Sequence, residues 1–154
     1  MVAYFLDSSA VVKRYIREAG TAWIVGISHP TAGNELFVAS VTGIEVVSAI
    51  SRRRIGGTVA PAIAVAALSQ FRQDFVHQYQ IVGVSETIVD RAMLLAENHG
   101  LRAYDALQLA SILEASDVRA ALSLPALTLV SADRDLNTVA QAEGVAVIDP
   151  NSQP

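Results

Sequence analysis

Four carboxylates sit where apolar segments stop. Asp7 follows the run Val2–Leu6 in "VAYFLDSSAVVKRYI", Glu45 falls in "SVTGIEVVSAI", Asp105 opens "YDALQLA", and Asp133 closes "LVSAD". Ending a core segment in an acid is costly, because a buried charge loses its hydration unless something compensates it. Each acid also has an ordinary local role. Asp7, or Ser8 beside it, can N-cap a helix. Thr42-x-x-Glu45 spells a capping box, and Asp105 and Asp133 suit the positive end of a helix dipole. Taken together, the four offer a different chemistry. Gathered without basic partners they repel one another and raise each other's pKa, which a divalent cation relieves. An all-oxygen donor set without Cys or His selects Mg²⁺ or Mn²⁺ rather than zinc. The surroundings of Asp105 and Glu45, "AYDALQLASIL" and "EVVSAI", are nearly free of other charge, whereas solvated caps have solvated neighbours.

Placing these acids requires elements that end near one another. Five short apolar runs read as strands: Val2–Leu6, Leu36–Ser40, Gln80–Val84, Leu127–Ser131 and Val145–Ile148. Helical patterns lie between them, at Ser9–Arg17, Thr21–Ser28, Gly43–Ile55, Pro61–Tyr79, Glu86–His99, Tyr104–Ala115 and Asp133–Glu143. Gly56-Gly57 and Pro61 mark the turn between two of these helices, and Gly100 ends another. Strands alternating with helices predict a three-layer α/β/α sandwich around a mostly parallel, about five-stranded sheet. In such sheets ligands bind outside the carboxyl ends of the strands. Asp7 and Ser131-x-Asp133 occupy such ends, and Glu45 and Asp105 fall in the first turns of helices on the same rim. Asp7 and Asp133 become neighbours if the first and fourth strands pair. Residues 1–150 read as one domain, and 151–154 as a frayed tail.

The composition bounds the function. The chain has 154 residues, 52% hydrophobic and 17% charged, with net charge −4 and no cysteine. It is too apolar for a disordered chain and too acidic to grip nucleic acid by bulk charge. Disulfides, thiolate zinc sites and cysteine nucleophiles are excluded, which fits a reducing cytoplasm. No signal-peptide pattern and no run long enough to span a membrane is present.

The blocks "LDSSAVVKRY", "TGIEVVSAI", "YDALQLA" and "LVSADRDL", in this order from Asp7 to about residue 150, resemble the PIN domain family. The size and the opening "YFLDSSAVVKRYIREAG" resemble in particular the VapC toxins of toxin–antitoxin pairs. The resemblance implies an endoribonuclease using Mg²⁺ or Mn²⁺, with Asp7, Glu45, Asp105 and Asp133 as its acidic quartet. Ser131 and Ser8 or Ser9 match the small hydroxyl residues of the last and first blocks. The resemblance further implies an RNA substrate, a homodimer and a cognate antitoxin whose tail fills the active-site groove. With this ligand set, in-line attack by an activated water would leave a 5′-phosphate and a 3′-hydroxyl. Asp135 reads as a solvated helix residue beside the quartet.

Arg52-Arg53-Arg54 is the only basic run. It suits the negative end of a helix dipole or a phosphate track equally well, and Lys13 and Arg134 are further candidate RNA contacts. His29, His77 and His99 share no spacing and receive no catalytic role. Tyr15, Trp23 and the apolar stretch "TVAPAIAVAALSQF" read as core or interface. Two other functions stand beside the nuclease. An aspartate-based phosphatase would use Asp7 as nucleophile, but the acid it needs two residues later is Ser9. A catalytically dormant PIN-like module would bind RNA or protein without cleaving, and an intact quartet argues against it.

Overall fold

The computed structural model describes residues 1–154. Five strands, β1 (Ala3–Leu6), β2 (Glu35–Ala39), β3 (Gln80–Val82), β4 (Thr128–Val130) and β5 (Ala146–Ile148), alternate with seven helices. These are α1 (Ser8–Tyr15), α2 (Thr21–Ser28), α3 (Ser40–Ile55), α4 (Pro61–His77), α5 (Glu86–His99), α6 (Ala103–Ala121) and α7 (Arg134–Ala142). All strand pairs are parallel and the order is β3-β2-β1-β4-β5.

That order explains the layers. The chain moves outward from β1 to β2 and β3, then crosses back to β4 and continues to β5. A right-handed crossover places its helices on one face when the chain moves one way and on the opposite face when it reverses. The core divides accordingly. Tyr4, Leu6, Leu36, Val38 and Val130 pack with Val11, Ile24, Ile50 and Phe71 of α1–α4 on one side. Ala3, Phe5, Ala39 and Leu129 pack with Ile88, Leu109, Ile112 and Leu136 of α5–α7 on the other. The alternation of Ala3 and Phe5 against Tyr4 and Leu6 is the two-residue period of a strand buried on both faces.

The reversal leaves a topological switch point between β1 and β4. Their register sets Leu6 opposite Val130, so both strands deliver their next residues, Asp7 and Ser131, to one crevice. Such crevices are where open α/β sheets bind ligands.

Several elements differ from the sequence-based expectation. Helix α3 begins at Ser40, directly after β2, so Glu45 lies in its second turn and not its first. Thr42 is therefore inside the helix and fully buried, and the capping-box role proposed for Thr42-x-x-Glu45 does not occur. Gly43 sits in this helix because α4 packs closely there: a Cβ would stand 3.0 Å from the Phe75 ring. Helix α6 continues to Ala121, since Arg119 keeps its packing by bonding the carbonyl of Pro125 and pairing with Glu35. Asn151 and Ser152, within the tail 151–154 expected to fray, belong to a 3-10 turn, Pro150–Ser152, capped by Asp149. Pro150 is buried against Gly20, whose φ of +83° and lack of a side chain let the Pro150 carbonyl approach.

Candidate active site

Asp7 leaves β1 and N-caps α1, its Oδ1 accepting the Ala10 N–H at 3.0 Å. The cap is only part of its surroundings. Ser9 Oγ donates to the same oxygen at 2.6 Å, and Ser131 Oγ donates to Oδ2 at 2.8 Å. Asp7 is 4% exposed. Burial pushes its carboxyl up to about 6, against the pull of Ser9, Ser131 and Ala10, with the negative charge of Glu45 adding to the rise.

The serines also stitch the β4 loop to α1. Ser9 Oγ accepts the Ala132 N–H at 2.9 Å, and Ser131 Oγ accepts the Asp133 N–H at 3.0 Å. Asn137 Nδ2 holds the Ser131 carbonyl at 2.8 Å. Asp133 then caps α7, with Oδ1 accepting from Asp135 N and Leu136 N at 2.9 and 3.0 Å.

Glu45 reaches the rim from α3. Ser8 Oγ donates to its Oε2 at 3.2 Å and Gln108 Nε2 donates to its Oε1 at 2.7 Å. Asp105 stands in the first turn of α6, a helix with no side-chain cap. Its carboxyl is also pushed up to about 6, first by burial and then by the charges of Asp133 and Glu45; Arg102 opposes and Asp135 adds. Glu45 thus acts on both Asp7 and Asp105, so all four acids share one field.

Two openings flank the start of α6. One, of about 360 Å³, is lined by Asp105, Asp133 and Asp135 with Arg102, His99 and Thr138. The other, of about 370 Å³, has Ser8, Glu45 and Ser48 on its wall with Ile44, Arg52 and Tyr104. Tyr104 and Asp105 are consecutive, so the two openings meet at one turn of helix.

The donor chemistry fits a hard cation. None of the ion pairs in the protein engages Asp7, Glu45, Asp105 or Asp133, so their charge is left for another partner. The arrangement is not a closed cage, because no three acidic or histidine side chains are set to grip one ion together. Mg²⁺ suits such an open set, since it keeps several waters and takes one or two carboxylates directly.

The candidate RNA contacts divide. Lys13 is buried and pairs with Glu18 at 3.1 Å. A buried ammonium already satisfied by a carboxylate cannot reach a phosphate, so Lys13 leaves the candidate set. Arg53 pairs with the same Glu18 at 3.0 Å. Arg52, Arg54 and Arg134 are exposed and enter no ion pair, and Arg52 lines the Glu45 opening. Sequence reasoning missed Gln108, Asn137 and Tyr104, and read Thr42 only as a helix cap. The signal for Gln108 was a lone amide in the apolar "ALQLASIL", one turn after Asp105.

The PIN domain family profile matches residues 4–142, and the chain belongs to that family. Its fold is similar to that of a toxin–antitoxin complex from Klebsiella pneumoniae (TM-score 0.61, 15% identity, covering 96% of this chain and 97% of that one). It is likewise similar to FitAcB from Neisseria gonorrhoeae (0.62, 14%, 96% and 97%). A third similar structure is PAE2754 from Pyrobaculum aerophilum (0.61, 22%, 95% and 83%). No curated protein matches the chain significantly.

Proposed function

We propose that the protein is a metal-dependent endoribonuclease, the toxin of a toxin–antitoxin pair. The observation that carries this reading is the set of four unpaired carboxylates at the β1/β4 switch point, two of them with carboxyls raised to about 6. Asp7, Glu45, Asp105 and Asp133 would hold a Mg²⁺ or Mn²⁺ ion. When bound, that ion would make water a nucleophile at neutral pH and offset charge on the attacked phosphate. The chain's own residues set the stage for it. Ser9 and Ser131 fix the Asp7 carboxylate, Ser8 and Gln108 fix Glu45, and Arg52 and Arg134 stand exposed to take RNA phosphates. No histidine base is required.

Membership of the PIN family and the likeness to structures titled as toxin–antitoxin complexes support an antitoxin partner. Homodimerisation and a cytoplasmic location complete the proposal; no helix is long and apolar enough to cross a membrane. A second reading, a dormant PIN-like module that binds without cleaving, draws on the open arrangement of the acids.

One assay separates the two. Purified protein, free of partner, is incubated with structured RNAs in Mn²⁺ or EDTA beside Asp7→Asn. Cleavage that needs Mn²⁺, yields 5′-phosphate and 3′-hydroxyl ends and disappears in Asp7→Asn is expected. RNA bound but intact under every metal supports the dormant module, and equal cleavage by Asp7→Asn overturns the nuclease.

A further inference from the structure

Gln108 is 1% exposed, and a buried amide is ordinarily fully bonded. Here the bonding is lopsided. Both Nε2 hydrogens are used, one on Thr42 Oγ1 at 2.8 Å and one on Glu45 Oε1 at 2.7 Å, while Oε1 has no partner at all. The acid fixes this orientation. Turned over, the amide would set its own oxygen against the Glu45 carboxylate at the same close distance, and two acceptors repel. The residue is therefore used as a donor, and its acceptor is left idle.

The placement is as specific as the bonding. Asp105 and Gln108 are one turn apart on α6, and Thr42 and Glu45 are one turn apart on α3, so each pair shares a helix face. The amide spans the two helices that supply two of the four acids. Ser8 holds the other Glu45 oxygen, so Glu45 is gripped from α1 and α6 by neutral groups only. An Arg or Lys at this position would orient the carboxylate equally well but would cancel its charge. A neutral donor orients it and leaves the charge for a cation.

Building on the metal-dependent reading above, we propose that Gln108 is a positioning residue: its neutral amide aims the Glu45 carboxylate at the cation. Groups that orient metal ligands in this way commonly change metal affinity by about 10-fold or more when removed.

The test is a double-mutant cycle read by Mn²⁺ binding, with the free ion followed by electron paramagnetic resonance in chelator-stripped protein. The forms are wild type, Gln108→Leu, Glu45→Gln and the double variant. Gln108→Leu is expected to raise the Mn²⁺ dissociation constant about 10-fold, and to add less than about 2-fold once Glu45 is already Gln. A structural role would weaken binding equally in both backgrounds, and that result overturns the proposal, as does a Gln108→Leu constant equal to wild type. Thr42→Val removes the other bond of the amide and is expected to leave the constant within about 2-fold; a loss matching Gln108→Leu assigns the effect to helix contact instead. If Gln108→Leu does not fold by circular dichroism, Gln108→Met takes its place in the cycle. A wild type that binds no Mn²⁺ overturns both the metal reading and this one, whereas unaltered binding in the variant overturns this one alone.

Discussion

Ser131 and Asp7 lie 124 residues apart in the chain and are joined by a 2.8 Å hydrogen bond in the core of the crevice. The same hydroxyl accepts the Asp133 N–H at 3.0 Å, so one small side chain orders two of the four acids. Ser131→Ala leaves a buried carboxylate and a partly buried amide each short of a partner. A destabilisation of about 1–3 kcal/mol is expected, together with a loss of roughly 10-fold in Mn²⁺ affinity. Ser131→Thr, which keeps the hydroxyl, restores the affinity if its extra methyl is accommodated. Thermal melts and Mn²⁺ titration read the two effects separately.

The pH dependence follows from the raised carboxyls. Asp7 moves from 3.8 to about 6 on folding, so the folded protein binds this proton more tightly than the unfolded chain. Its contribution to stability is then complete below about pH 4 and is lost as pH rises through 6, a swing on the order of 3 kcal/mol in chelator. Asp7→Asn, which cannot ionise, escapes the loss. The melting temperature of wild type relative to Asp7→Asn should therefore fall between pH 4.5 and 7.5; a constant difference would refute the assignment. Metal binding has the opposite trend, since protons compete for Asp7 and Asp105. Mn²⁺ affinity is expected to drop steeply below about pH 6.

Asp133 and Asp105 should part company in stability. Asp133 caps α7 with two bonds, and its replacement by Ala is expected to cost about 1 kcal/mol. Asp105 caps nothing and sits among like charges, so Asp105→Ala is expected to hold or raise the melting temperature in EDTA. Both variants should lose RNA cleavage by about 100-fold or more if each helps hold the ion. An Asp105→Ala protein that is destabilised and still cleaves would return this residue to a helix-dipole role.

Tyr104 is half exposed at the Glu45 opening, which Arg52 also lines. An aromatic side chain and a guanidinium at one opening suit a base and its phosphate, and base stacking is worth about 1–3 kcal/mol. Tyr104→Ala is expected to raise KM for RNA by roughly 10-fold with a smaller change in kcat, and Arg52→Ala to weaken binding with a shallower salt dependence. Lys13→Ala, by contrast, should lower stability and leave RNA affinity alone, because Lys13 is spent on Glu18. Steady-state cleavage kinetics read the first, filter binding at two salt concentrations the second, and thermal melts with filter binding the third.

Much of this was legible in the order of the residues. The five strands were visible because a parallel sheet buried on both faces needs unbroken apolar runs, and "AYFL" and "TLV" have nothing else to be. The acids stood out for the complementary reason: Asp7 ends such a run, and Asp105 opens a helix with almost no other charge. Helix boundaries were harder. Glu45 was set one turn too early because nothing in "ASVTGIE" marks Ser40 as a helix start, and Ala39 offers no side-chain cap. Lys13 looked available because a lysine in sequence carries no sign of its partner, and Glu18 becomes that partner only after α1 ends and the chain turns. Gln108 escaped notice for the same reason. Its meaning depends on Thr42 and Glu45, more than sixty residues away, and no local periodicity reports a contact across that distance.

The pairing of β1 with β4 has a consequence for how the protein is made. Asp7 is synthesised 124 residues before its partner Ser131, and β4, which pairs with β1, immediately precedes Ser131. Until then one edge of β1 has no neighbour, and long-range strand pairing of this kind forms slowly. A nascent or truncated chain therefore cannot carry a finished site, and its open strand edge is a target for chaperones or proteases. Under the proposed function, the cell making this protein is shielded from it until β4 and Ser131 have been translated.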